Sequence, residues 1–162
     1  MYQIERLARR HDRSTFSCGI EALDDYLIYY ALQNDKKRIA TAYVILEGKR
    51  VIGYYTLSNA SVTLSDLPEA IAKKLPAYPV PAIRIGRFAI DQSLQRRGVG
   101  EQLLTDALLR VFEASKISAV FAVIVDAKSQ SVKFYKRYGF IQSQHHPQTL
   151  FLPVRTIIEA LK

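Results

Sequence analysis

The sequence predicts an α/β fold, a layered sheet packed by helices, and three features carry that prediction. A strand, a glycine-bearing turn and a helix succeed one another from Ala82 to Phe112; a continuous apolar run follows at residues 119–127; and strand-like segments dominate the part upstream. One domain over residues 1–162 is expected, because a chain of this length can bury roughly two thirds of its unfolded surface.

The elements follow in order. Residues Tyr2 to Leu7 suit a first strand. Ser17 is placed to cap a helix from about Ile20, with Ile20, Leu23, Leu27, Tyr30 and Ala31 on one side. The segments TAYVILE and RVIGYYTLSNASV flank Gly48-Lys49, as in an antiparallel hairpin. Pro68, Pro76, Pro79 and Pro81 break up the connection that leads to the central strand. In that strand Ile83, Ile85, Phe88 and Ile90 alternate with polar or basic residues. The period then changes: Leu103, Leu104, Ala107, Leu108, Val111 and Phe112 repeat at steps of three and four, laying one apolar stripe along a helix. AVFAVIVDA reads as a strand covered on both faces. KSQSVKFYKRY reads as a helix, with Gly139 where it would end, and the rest supplies one or two strands and a short closing helix.

Between the central strand and its helix sits QRRGVG, Gln95 to Gly100. Gly98 and Gly100 carry no Cβ, so an anion can approach the backbone, and the first amides of the helix have no intrahelical acceptor. Arg96 and Arg97 add positive potential to that of the helix dipole, which suits a phosphate or pyrophosphate; a plain turn is the alternative. The chain has no GxxxxGK[ST] and no complete GxGxxG, so two other phosphate-binding patterns are excluded.

The net charge of +8 favours a large polyanion as partner. Its cations come in bunches, among them Arg6, Arg9, Arg10 and Arg13, then Arg84, Arg87, Arg96 and Arg97, then Lys128, Lys133, Lys136 and Arg137; any single bunch can equally be a solvated face. The longest apolar run, around Ile117 to Val125, falls short of the ~18 residues of a membrane helix, so no membrane partner is expected. The charged start, MYQIERLARRHDR, lacks the apolar core of a signal peptide, which predicts a cytoplasmic protein. Cys18 is the sole cysteine and can form no internal disulfide; as a nucleophile it lacks a nearby histidine.

QRRGVG, following a strand and opening a helix, matches the Q/R-x-x-G-x-G/A pyrophosphate signature, and the chain is similar to the GCN5-related N-acetyltransferases (GNAT). RLARRHDRSTFSCGIEALDDYL resembles the opening of their toxin branch, the TacT-like proteins of type II toxin-antitoxin pairs. IGRFAIDQSLQRRGVGEQLL resembles that branch's coenzyme loop, and KFYKRYGF its F-Y-x-x-x-G-F segment. The resemblance implies the GNAT fold: a single mixed, mostly antiparallel sheet with a splayed central strand pair and helices on both faces. It implies acetyl transfer from acetyl-CoA to an amine, with no metal. The main chain of Phe88, Ala89 and Ile90 would meet the pantetheine arm and offer an amide to the developing oxyanion. Gln95, Arg96, Arg97, Gly98, Val99 and Gly100 would cradle the pyrophosphate, and Tyr135 would protonate the departing thiolate.

The resemblance assigns no general base, and His145 and His146 have no such role in the family pattern. An α-amino group titrates at roughly 7.7–8.0 and a lysine near 10.4, so at neutral pH about a tenth of the former is already nucleophilic, against under a thousandth of the latter. A site without a strong base suits an α-amine. With the basic surface, this points to aminoacyl-tRNA, as in the toxin branch, with Arg84 or Arg87 on RNA phosphate or the acceptor end. A ribbon-helix-helix antitoxin and a homodimer are implied by resemblance. A housekeeping acetyltransferase of protein N-termini, ribosomal proteins or polyamines, and a non-catalytic RNA- or partner-binding module, remain the alternatives.

Overall fold

In the computed structural model, which describes residues 2–162, the chain parts into two compact units. One is built from the residues up to Ser58 together with Gly86–Ala107, the other from Asn59–Ile85 and Leu108–Lys162.

In the first unit β1 (Gln3–Arg6) pairs antiparallel with β2 (Thr41–Glu47), and β2 with β3 (Arg50–Val62), in a register that sets Ile4 against Ile45 and Tyr43 against Tyr55. Both hairpin strands have the expected bounds, and a bulge between Ile45 and Leu46 absorbs one residue. Val44 of β2 and Tyr54 of β3 share one core cluster with Leu7, Phe16, Leu27 and Ala31. The expected first helix is present in three pieces: α1 (Glu21–Asp25), a π-helical turn (Tyr26–Tyr30) and α2 (Ala31–Lys36).

Two expectations for this helix are corrected. Ser17 does not cap it: the N-cap is Ile20, with no side-chain bond, and the Ser17 amide instead donates to Asp91 Oδ2 at 3.0 Å. Tyr30 is 53% exposed rather than on the apolar stripe. The wider π turn shifts the helical phase so that Tyr26 faces the core in its place, while Arg13 Nη1 donates to the carbonyls of Leu27 and Ile28. No periodicity argument at 3.6 residues per turn registers such a turn.

In the second unit the beginning of β4 (Val80–Ile90) pairs parallel with β5 (Ala122–Asp126), from Ala82–Ala122 to Ile85–Val125. β5 pairs antiparallel with β7 (Thr149–Pro153), and β7 with the two-residue β6 (Ile141–Gln142). α3 (Glu69–Ala72), a single turn inside the proline-rich connection, was not legible in the sequence; Leu67 beside it packs with Val62, Val80, Ala82, Ile124 and Phe151. The buried strand starts at Ala122, later than the apolar run suggests. Ile117 is 91% exposed in the turn that precedes it. The closing helix is α6 (Val154–Ala160).

The strand order is β1-β2-β3-β4-β5-β7-β6, mixed and mostly antiparallel. The β4–β5 ladder ends at Ile85–Val125 although β4 runs on to Ile90, so the strand pair parts there. Among the described residues no helix is long and apolar enough to cross a membrane.

Candidate active site

Two parts of the chain carry the residues singled out above, and each is built by its own local logic. The first lies in the first unit, where β4 ends at Phe88, Ala89 and Ile90. Asp91 stops the strand and starts a 3-10 turn (Gln92–Leu94): its carboxylate accepts from the Ser93 amide at 3.0 Å and the Ser93 hydroxyl at 2.7 Å. Asp91 is buried, which alone would raise its pKa. The hydrogen bonds from Ser93 and from the Ser17 amide, with the Arg50 charge at 3.4 Å, outweigh that and hold the carboxyl below the usual range.

The next residue expected on a ligand has a different task. Gln95 Nε2 donates to the carbonyls of Cys18 (3.0 Å) and Ile90 (2.9 Å), so its side chain braces the loop against the strand end and the start of the first helix. Arg96 and Gly98 then take the left-handed backbone, at φ 66° and 80°. These two reversals turn the chain into α4 (Val99–Ser115), in which Leu103, Leu104, Ala107 and Val111 of the predicted stripe are buried, with Val99 ahead of them, while Leu108 and Phe112 are half-buried.

The first intrahelical bond runs from the Gln102 amide to the Gly98 carbonyl, at 3.2 Å, so the amides of Val99, Gly100 and Glu101 precede it. A Cβ added at Gly98 would meet nothing within 4 Å, so the space beside these amides is open. Arg96 and Arg97 are exposed there. Open backbone, orphan amides, a 17-residue helix behind them and two guanidinium groups fit a diphosphate.

Arg87, expected on RNA, lies with its guanidinium 3.6 Å from the centre of the Tyr26 ring, which stacks in turn on Tyr54. The Tyr54 hydroxyl donates to the Leu23 carbonyl at 2.6 Å, so the stack ties the end of β4 to α1 and its π turn. Cys18 is buried and its thiol is pushed up to about 11, by burial first and then by the Asp24 carboxylate; it has no nucleophile's setting.

The second part is in the second unit. Tyr135 sits on α5 (Val132–Arg137), and F-Y-x-x-x-G-F has a structural meaning there. Gly139, at φ 94°, closes the helix: its amide donates to the Lys136 carbonyl (3.1 Å) and the Phe140 amide to the Tyr135 carbonyl (3.2 Å), a Schellman end. The Phe140 ring then packs edge-on to Tyr135 with centroids 5.4 Å apart, and Phe134 does so at 5.2 Å. Tyr135 is 4% exposed, and burial raises its pKa, so the phenol keeps its proton at neutral pH.

Arg84, also expected on RNA, forms an ion pair with Asp126 at the end of β5. The pair stands in the wall of a cleft of about 280 Å³ that also takes in Asp66, His146 and Thr149. Asp126 was missed in the sequence. Its only signal is that it ends an otherwise apolar run. His145 and His146 lie in the β6–β7 connection, with both amides 3.4 Å from Ser143 Oγ.

A strand, an open turn able to take a diphosphate, the helix behind it and, in the other unit, a buried protonated tyrosine are the parts a coenzyme A-dependent acyltransferase needs. The chain belongs to the GNAT acetyltransferase family, whose domain description, "Acetyltransferase (GNAT) domain", matches residues 17–150. It is 34% identical over 148 residues to the "tRNA-acetylating toxin" of Mycobacterium tuberculosis, a match covering 91% of this chain and 89% of that protein. Among solved structures it is similar to AtaT complexed with acetyl-methionyl-tRNAfMet, at 30% identity and a TM-score of 0.93 over 100% of both chains. It is also similar to a tyrosine-to-phenylalanine mutant of the AtaT toxin bound to the C-terminus of the antitoxin AtaR and acetyl-CoA, at 28% identity and a TM-score of 0.86, covering 99% of this chain and 98% of that one.

Proposed function

We propose that this chain, working as one acetyltransferase domain over residues 1–162, transfers the acetyl group of acetyl-CoA to the α-amine of aminoacyl-tRNA and so blocks translation as a toxin. The observation that carries the reading is the open turn at Gly98 before α4, in a chain that aligns over its whole length with an AtaT complex holding acetyl-methionyl-tRNA. Acetyl-CoA supplies an acyl group activated as a thioester.

The roles of the residues follow from what each can offer. The amides of Val99 and Gly100, with Gly98, Arg96 and Arg97, hold the diphosphate, while Gln95 braces the loop. The β4 backbone at Phe88, Ala89 and Ile90 receives the pantetheine arm and polarises the thioester carbonyl. The amine's lone pair forms the new C–N bond as the C–S bond breaks. The proton of Tyr135 goes to the departing sulfur, the amine's surplus proton goes to water, and the phenolate regains a proton from water to close the cycle. The raised pKa of Tyr135 supports a proton donor and speaks against a base.

A blocked α-amine cannot attack in peptide-bond formation, so the product is withdrawn from translation. The reaction takes place in the cytoplasm, where charged tRNA is. By analogy with AtaT and AtaR, the partner that restrains it is an antitoxin, here assigned the ribbon-helix-helix class, and the active form is a homodimer that joins two basic surfaces. The test is incubation with acetyl-CoA and bulk charged tRNA, followed by mass spectrometry of the released amino acids. N-acetylated aminoacyl species are expected. Acetylation of peptide N-termini or polyamines with none on tRNA would replace this reading by a housekeeping acetyltransferase, and failure to bind acetyl-CoA would replace it by a non-catalytic module.

A further inference from the structure

The cleft lined by the Arg84–Ile124 rung, one before the β4–β5 ladder ends, and by Asp126 has a composition that the acetyl-transfer reading alone does not call for. Its floor is apolar, formed by Val62, Ile124 and Phe151. Its walls are polar: Arg84 pairs with Asp126 Oδ2, the Thr149 hydroxyl donates to Asp126 Oδ1 at 3.2 Å, and Ser61, Asp66 and His146 complete the rim. All of these residues belong to the second unit.

Asp126 has both carboxylate oxygens engaged within the wall. Asp66 has Oδ2 occupied by the Thr63 hydroxyl at 2.7 Å, whereas among the described residues Oδ1 has only His146 Nε2, at 3.9 Å and beyond hydrogen-bond reach. Toward the cleft, then, Arg84 presents its remaining N–H donors, and Asp66 Oδ1 and the Thr149 and Ser61 oxygens present acceptors. An aliphatic guest would strip water from these groups and return nothing. A guest of either full charge would meet a like charge in the wall, since a guanidinium and two carboxylates share it. What satisfies the cleft is a neutral group that both donates and accepts, on a short stem lying over the apolar floor.

We propose that this cleft receives the side chain of the aminoacyl group and that the Arg84–Asp126 pair makes the protein select neutral hydrogen-bonding side chains, the hydroxyl and carboxamide class, over aliphatic ones such as methionine. The inference rests on the aminoacyl-tRNA reading above and adds the selectivity of its acceptor side. Arg84, placed on RNA phosphate by its charge alone, thereby becomes a residue that sets specificity. Sites that hydrogen-bond a substrate's polar group reject analogues lacking it far more strongly than apolar pockets sort by size.

The experiment takes the tRNA best modified in the bulk reaction and charges that one tRNA body in turn with serine, threonine, asparagine, glutamine, methionine, leucine, lysine and glutamate. It then compares kcat/KM at saturating acetyl-CoA. The neutral polar set should lead methionine and leucine by about ten-fold or more. Replacing the pair together, Arg84→Leu with Asp126→Leu, should move the polar-to-methionyl ratio by about ten-fold toward methionine without changing the KM for acetyl-CoA. Thr149→Val, which removes one hydroxyl at nearly constant size, should move it the same way by a smaller factor. A wild-type preference for methionyl or leucyl groups, for lysyl or glutamyl groups, or a ratio unmoved by both variants, would overturn the inference while leaving the aminoacyl-tRNA reading intact. If no charged tRNA is acetylated in the bulk reaction, that reading itself fails and the inference goes with it.

Discussion

Replacing Tyr135 by Phe removes the phenolic oxygen and keeps the ring. The ring contacts with Phe134 and Phe140 are contacts of the aromatic edge and face, and the Phe140 amide bonds to the Tyr135 carbonyl, which the variant keeps. The loss to folding should therefore be at most that of one hydrogen bond, about 0.5–1.5 kcal/mol, with the melting temperature within several degrees of the parent. The chemical loss is larger. Positioned proton transfer contributes roughly a hundred- to ten-thousand-fold, so kcat should fall by about 3–5 kcal/mol in activation terms, while the KM for acetyl-CoA stays near the parent value. Because burial raises the phenol's pKa, Tyr135 stays protonated through the assay range, and any fall in kcat between pH 8 and 10 must come from another group. Single-turnover acetylation of charged tRNA with stopped samples measures both points. A Phe variant with kcat within about three-fold of the parent would remove Tyr135 from the chemistry, since no general acid of that importance is so easily dispensed with.

Other perturbations read different parts of the molecule. Gly98→Val puts a branched side chain at φ 80°, costing at least ~1 kcal/mol, into space where a Cβ touches nothing. Titration by calorimetry should show acetyl-CoA affinity reduced about ten-fold or more with the fold retained, and unchanged affinity would refute the diphosphate assignment. Asp91→Asn tests the brace beneath that loop. The folded pKa of Asp91 is depressed, so its carboxylate contributes stability that is present above the unfolded value of about 3.9 and is lost as pH falls through the folded one. The Asn variant should lose about 1–3 kcal/mol at pH 7, and its stability should fall less steeply than the parent's below pH ~4 in urea melts. Cys18, with a thiol near 11, should be about one part in a thousand thiolate at pH 8 and should resist thiol reagents until the protein is unfolded.

How far the sequence reaches depends on whether a feature is local. The turn from β4 into α4 was legible because glycine at positive φ, orphan amides and a change of period all lie within about twenty residues. The end of α5 was legible for the same reason: Gly139 and Phe140 are the Schellman residues of the helix that carries Tyr135. The Ser17 cap was misread because the helix has its N-cap at Ile20, three residues further on, while the Ser17 amide is held by Asp91, 74 residues away, and no spacing rule reports that contact. The π turn at Tyr26–Tyr30 escaped because the apolar residues there satisfy the ordinary helical period equally well. The cleft escaped altogether: Ser61, Arg84, Asp126 and Thr149 come from four strands, and only the sheet register assembles them.

Charge shows the same division. Within the first cationic bunch, Arg6 pairs with buried Asp35, Arg10 with Glu5 at 2.5 Å, and Arg13 holds helix carbonyls. In the second, Arg84 is taken by Asp126 and Arg87 by the Tyr26 ring. These side chains have structural tasks, and a phosphate would have to displace an existing partner to use them. Arg96, Arg97, Lys128, Lys133 and Arg137 are exposed and have no ion pair among the described residues. Positive potential at long range is the sum over all the cations less their paired acids, so the excess of +8 resides largely in residues of this second kind. Lys36, Lys37, Arg38, Lys73 and Lys74 are of this kind too, exposed and with no ion pair among the described residues. A polyanion is therefore drawn to several exposed patches, and those flanking the α4 turn and on and before α5 are the ones that lie on the segments to which the diphosphate and the proton donor have been assigned.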